Sequence, residues 1–110
     1  MAKLPGQPVR GSSTGRPVMV LLDTLGKRWT LRLIWELNQS GSGTFRELQA
    51  RCEDVSPTSL NSRLKELREL DLIELGETGY ALTKQGLSLS HLLKPLDQWA
   101  NQWAKNLDRV

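Results

Sequence analysis

The stretch Ser56-Pro57-Thr58-Ser59 constrains this chain more than any other. A serine oxygen caps the free amides of a helix start, and a proline at the first helical position lacks only an N–H that would have no partner there. Leucines follow at 60, 64, 67 and 70, one apolar stripe at helical period. Thr58, Asn61, Ser62, Lys65 and Glu66 lie on the other side or its flanks. After Leu70-Asp71-Leu72 the period changes to a β-like run, Ile73-Glu74-Leu75. The turn signal Gly76-Glu77-Thr78-Gly79 and the run Tyr80-Ala81-Leu82 complete a predicted hairpin with a four-residue turn.

Three shorter helices are expected upstream. The first spans Val18 to Leu25 and stops at Gly26. The second runs from about Thr30 to Leu37, with Trp29, Leu33, Ile34 and Leu37 as its apolar side. Ser40-Gly41-Ser42-Gly43 then reads as a plain linker, because it lacks the Gly-Lys-Ser or Gly-Lys-Thr of a phosphate-cradling loop. Thr44 and Glu47 have capping-box spacing for a third helix, whose buried side is Phe45, Leu48 and Cys52. It ends near Glu53-Asp54, so only a short turn separates it from Ser56, as helix-turn-helix geometry requires.

The last segment is one long helix from near Thr83, with Leu89, Leu92, Leu93, Leu96, Trp99, Ala100, Trp103 and Leu107 as its stripe. Pro95 inside the pattern is expected to kink or locally unwind it. The stripe carries more apolar surface than a chain of 110 residues readily covers, and Trp99 and Trp103 lie one turn apart. A subunit interface accounts for that surplus; packing of both tryptophans on the protein's own helices is the alternative.

The fold class that results is mainly α with a small β-hairpin, a winged helix-turn-helix with a long C-terminal helix for dimerisation. Residues 1–16, with Pro5, Pro8, three glycines and only basic charges (Lys3, Arg10, Arg16), are expected to be a flexible arm, and 17–110 a single domain. The net charge of +3 is unevenly spread. Residues 1–51 carry eight Lys and Arg against three acids, and residues 52–110 seven against nine. That balance permits nucleic-acid binding without demanding it. No apolar run approaches a membrane span, and a single cysteine, Cys52, agrees with a reducing compartment; the chain is expected to be cytoplasmic, with no membrane partner.

The order of these elements resembles the HxlR family of winged-helix transcriptional regulators, relatives of the MarR family. Asp23-Thr24-Leu25-Gly26-Lys27-Arg28-Trp29-Thr30-Leu31 resembles that family's entry segment, and Ser56 to Leu67 its recognition helix. Tyr80-Ala81-Leu82-Thr83-Lys84-Gln85-Gly86 is similar to its returning wing strand and last helix start, and Trp99 to its C-terminal tryptophan. The resemblance covers about residues 16–103. It implies a homodimer on double-stranded DNA, with the helix over about 57–70 in the major groove and the first and last helices pairing through Val18, Leu21, Leu22, Leu92, Leu96, Trp99 and Trp103. By position it makes Thr58, Ser59, Asn61, Ser62 and Arg63 DNA-contacting candidates, to which the helical wheel adds Lys65. Thr58, Asn61 and Ser62 have the reach for base edges; Arg63, reaching sideways, and Lys65 suit phosphates. Glu66 and Arg68 are expected to be solvated or to form intrahelical charge pairs.

Two departures qualify the resemblance. The wing carries Glu74 and Glu77 where the family usually has a longer basic loop, so DNA affinity is expected from the recognition helix, from Arg46 and Arg51, and from the arm. Many family members sense electrophiles or oxidants through a cysteine just before the first helix; here that position is Arg16. An unknown small-molecule or redox effector stays open. Cys52 is a candidate thiol sensor only if exposed, and a small core residue otherwise. One histidine and one cysteine assemble neither a metal site nor a nucleophile with its base, so no enzyme, metal or cofactor is expected. The rival reading is a winged helix that binds a protein instead of DNA. RNA binding lacks an exposed aromatic platform.

Overall fold

A computed structural model describes residues 2–108; residues 109 and 110 at the end of the expected domain lie outside it. Its elements are α1 (Pro17–Leu25), α2 (Thr30–Ser40), α3 (Phe45–Arg51), α4 (Pro57–Glu69), β1 (Ile73–Gly76), β2 (Gly79–Leu82) and α5 (Lys84–Leu107). Each start has a local cause. The Thr44–Glu47 capping box forms in both directions, with the Thr44 N–H donating to the Glu47 carboxylate at 2.9 Å and the Glu47 N–H to Thr44 Oγ1 at 3.2 Å. Ser56 Oγ accepts the Ser59 N–H, and Thr83 Oγ1 accepts that of Gly86.

The core gathers one face from nearly every element. Leu33, Ile34 and Leu37 of α2, Leu48 of α3, Leu60, Leu64 and Leu67 of α4, Ile73 of β1 and Leu93 of α5 form one buried cluster. Each fully buried leucine contributes about 1.5–3 kcal/mol relative to an exposed one. The hairpin docks back through Gly43, whose N–H and C=O exchange bonds of 2.9 and 2.8 Å with Tyr80. Gly79 is required there: its φ is +117° and an added Cβ would lie 2.4 Å from the Gly43 carbonyl oxygen.

Several expectations shift. α2 continues to Ser40 instead of stopping near Leu37. Gly76 pairs with Gly79, so the hairpin turn is two residues, Glu77 and Thr78, not four. α5 runs through Pro95 without a break. Pro95 and His91 are both exposed, so the carbonyl that loses its donor lies on the wet side of the helix. The stretch read as a flexible arm takes a defined path. Val9 and Ser12 exchange backbone bonds, Gly6 donates to the Gly15 carbonyl at 2.9 Å, and Ala2 is buried with its N–H 3.4 Å from the Glu69 carboxylate.

Candidate nucleic-acid interface

The outward face of α4 is set by its inward one. Leu60, Leu64 and Leu67 are each at most 1% exposed, which fixes the rotation of the helix about its axis. Val55, before the cap, and Leu60 belong to the same buried cluster and staple the helix entry. Thr58, Ser59, Asn61 and Lys65 are left in solvent, and Asn61 and Lys65 make no side-chain hydrogen bond or ion pair among the described residues. Unpaired short polar groups and a lysine on an exposed helix face can meet base edges and phosphates without first breaking internal bonds.

Arg63 is placed differently from expectation. It does not reach out sideways: its side chain is only 21% exposed, and Nη2 lies 2.6 Å from Glu66 Oε1. Glu66 makes the expected intrahelical pair but is not solvated; it is 8% exposed and its Oε2 also holds the Lys27 ammonium. The cause is position on the wheel. Glu66 lies beside the leucine stripe, facing the turn between α1 and α2, and a carboxylate removed from water there requires cationic partners. Arg63 Nε is buried without a partner. The link from Lys27 to α4, across 39 positions, has no signal in local sequence.

The basic residues of α3 divide in the same way. Arg46 is exposed in its first turn. Arg51, expected to add DNA affinity, instead latches the α2–α3 linker: Nη1 donates to the Gly41 carbonyl at 2.9 Å and Nη2 to that of Ser42 at 3.2 Å. The wing exposes Glu74 and Glu77, which repel phosphate.

On α1 and α5 the apolar surplus is confirmed as exposed surface within the single chain. Val18 and Leu22 are 53% and 54% exposed, Leu92 68%, Leu96 55%, Trp99 63% and Trp103 52%; Leu21 is half-buried. The tryptophans stack on each other, with ring centroids 6.0 Å apart and planes 16° from parallel, and both stay more than half exposed. Exposed large apolar side chains this numerous on two helices suit burial against a partner surface.

Of the two readings of Cys52, the structure shows the core residue and not an exposed thiol. It is 0% exposed, and burial pushes its thiol above the ordinary value, so the reactive thiolate is disfavoured. Among the described residues, no group of three or more His, Cys, Asp or Glu could hold a metal ion, and no helix is long and apolar enough to cross a membrane.

Comparison with known proteins agrees with this geometry. The sequence model of the HxlR-like helix-turn-helix matches residues 24–108. YvaP of Bacillus subtilis, an uncharacterized HTH-type transcriptional regulator, is 33% identical over 89 residues, covering 74% of this chain and 82% of that protein. The HTH-type transcriptional regulator YodB of the same organism is 33% identical over 93 residues, covering 78% and 82%. The crystal structure of quinone-bound YodB superposes with a TM-score of 0.72 at 29% identity, over 78% of this chain and 97% of that one. A MarR-family regulator structure from Enterococcus faecalis reaches 0.74 at 26% identity, over 86% and 91%. With a capped α4, a short wing and a long last helix in this order, the chain belongs to the HxlR family of winged-helix transcriptional regulators, a family of regulators and not of enzymes.

Proposed function

We propose that the protein is a sequence-specific repressor that binds double-stranded DNA as a homodimer, with α4 in the major groove. The observation that carries this is the outer face of α4, where Thr58, Ser59, Asn61 and Lys65 stand exposed beside half-buried Ser62. Thr58, Asn61 and Ser62 read base edges; Lys65 and Arg46 bind phosphates. Arg63 contributes from within the helix flank, held by Glu66. Among the described residues the helix-turn-helix domain begins at Pro17, and the basic stretch before it packs alongside through Ala2. Val18, Leu21, Leu22, Leu92, Leu96, Trp99 and Trp103 form the dimer contact, which sets two recognition helices for two half-sites.

Regulation falls to a small-molecule effector and not to thiol chemistry at Cys52. YodB has been crystallised with a quinone; this chain has Arg16 ahead of Pro17 and its one cysteine in the core. A mainly apolar groove of about 430 Å³ between α2 and α5, lined by Leu31, Trp35, Leu93, Leu96 and Ala100 with Arg32 and Asp97, suits an apolar ligand with a polar group. The acidic wing favours a second reading, a winged helix that binds a basic protein surface.

Fluorescence anisotropy separates the two. The wild type, Asn61→Ala and Lys65→Ala are titrated onto the protein's own upstream region and a scrambled duplex across a salt series. A sequence reader binds its own region more tightly, loses that preference in Asn61→Ala, and weakens equally on both duplexes in Lys65→Ala. Equal weak binding to both duplexes, together with a genome-wide selection that finds no preferred site, supports the protein-binding reading instead.

A further inference from the structure

We infer that the cleft between the α1–α2 turn and the first turns of α4 is a phosphate-binding site that takes a backbone phosphate of duplex DNA. Lys27, Arg28, Thr58, Ser59, Ser62 and Arg63 line a cavity of about 320 Å³ there. This rests on the DNA-binding reading above and adds to it a contact from outside α4, at residues the recognition-helix pattern does not reach.

Four features give the cleft its chemistry. Three cations converge on it against one buried carboxylate, Glu66, which leaves two positive charges beside the groove-facing side of α4. Arg28 is exposed and has no ion pair or side-chain hydrogen bond among the described residues, so its guanidinium is available for a bidentate phosphate contact. Arg63 lines the same cleft with its side chain 21% exposed and Nη2 held by Glu66 Oε1, so its charge is fixed in place. The Ser59 hydroxyl supplies a further donor on the opposite wall, which Thr58 and Ser62 also line.

The turn carrying Lys27 and Arg28 is pinned at both ends. Lys27 is tied to Glu66 on α4. Trp29 packs against the core with φ at +73°, a backbone conformation that a bulky residue adopts only when its surroundings impose it. The phosphate site is therefore built in advance, and a phosphate entering it fixes the register of α4 along the groove without reading sequence.

Arg28→Ala and Arg28→Lys test this beside the wild type, by anisotropy on the native and scrambled duplexes across a salt series. Arg28→Ala is expected to weaken both duplexes alike, by about tenfold for one charge-assisted contact. It should also lower the slope of log affinity against log salt by about one. Arg28→Lys keeps the slope and recovers part of the affinity. In a second arm, inorganic phosphate is titrated while the amide resonances of Thr58, Ser59 and Ser62 are followed. The inference expects weak, millimolar shifts that Arg28→Ala removes. Micromolar phosphate binding with duplex affinity untouched by Arg28→Ala assigns the cleft to a free phosphate ligand and overturns the DNA contact. Tight duplex binding by the wild type that Arg28→Ala leaves unchanged in affinity and slope overturns the cleft alone. Absence of duplex binding by the wild type overturns the DNA reading and this inference with it.

Discussion

Replacing Glu66 by Gln keeps the shape of the side chain and removes the one charge that joins the α1–α2 turn to α4. Glu66 has 11% of its side chain exposed, Arg63 21% and Lys27 32%. Removing one partner of a fully buried pair costs about 3–5 kcal/mol, and an exposed pair contributes about 0–1 kcal/mol. The intermediate burial of this triad, with Lys27 about one-third in water, places Glu66→Gln at about 1–2 kcal/mol. At about 4 °C per kcal/mol for a domain of this size, the midpoint falls by roughly 4–8 °C. A double-mutant cycle isolates the pair. Lys27→Met preserves the stem, and its cost should nearly vanish in the Glu66→Gln background, leaving a coupling of about 1 kcal/mol. Urea unfolding followed by circular dichroism measures all four proteins, at one fixed concentration because the proposed dimerisation would add to apparent stability. Repeating the cycle in 1 M salt decides between burial and surface attraction, since exposed pairs are screened at that ionic strength. Additive single mutants, or a coupling that disappears in 1 M salt, would refute the claim that Glu66 holds the turn through a desolvated ion pair.

Four other outcomes are expected. Trp99→Ala with Trp103→Ala, or Leu92→Asp alone, should shift the protein from dimer to monomer in analytical ultracentrifugation with its far-UV spectrum unchanged, because all three side chains are already exposed in the single chain. Gly86→Ala should destabilise by at least about 2 kcal/mol or prevent folding, since the new Cβ would stand 2.0 Å from the Leu72 carbonyl oxygen; a midpoint within experimental error of wild type would refute it. Iodoacetamide should label Cys52 only at the rate of unfolding, and labelling should accelerate in step with urea; raising pH above the ordinary thiol value should lower stability, because the unfolded thiol ionises while the buried one holds its proton. The Glu47 carboxyl should titrate below 4.5 by NMR, held down first by the Thr44 N–H; that cap contribution is present above the unfolded value and is lost as pH falls through the folded one.

Local chemistry made much of the fold legible. The Thr44–Glu47 box, the Ser56-Pro57 start, the Thr83 cap and the leucine period of α4 are each decided within a few residues, so side-chain type and spacing carry them. The exposed stripe on α5 was equally readable, because a surplus of large apolar residues at helical spacing is a count. What stayed illegible involves residues far apart in sequence. Arg51 read as a DNA contact but caps the Gly41 and Ser42 carbonyls, and Arg63 read as reaching out sideways but turns inward to Glu66. Nothing in a helical wheel distinguishes a solvated arginine from one facing a buried carboxylate.

By itself, then, the sequence determined where helices begin, which face of each is apolar, and that a short turn joins α3 to α4 ahead of a two-stranded wing. Those outcomes depend on dihedral preferences, capping and periodic burial, which act over one or two turns of chain. Only the tertiary structure decided that Lys27 meets Glu66 across 39 positions, that Cys52 is sealed in the core, and that Lys27, Arg28 and Arg63 share one cleft with the hydroxyls of α4. Charge interactions fall off slowly and depend on local desolvation. Their partners are therefore fixed by how the helices pack, not by the order in which the residues are joined.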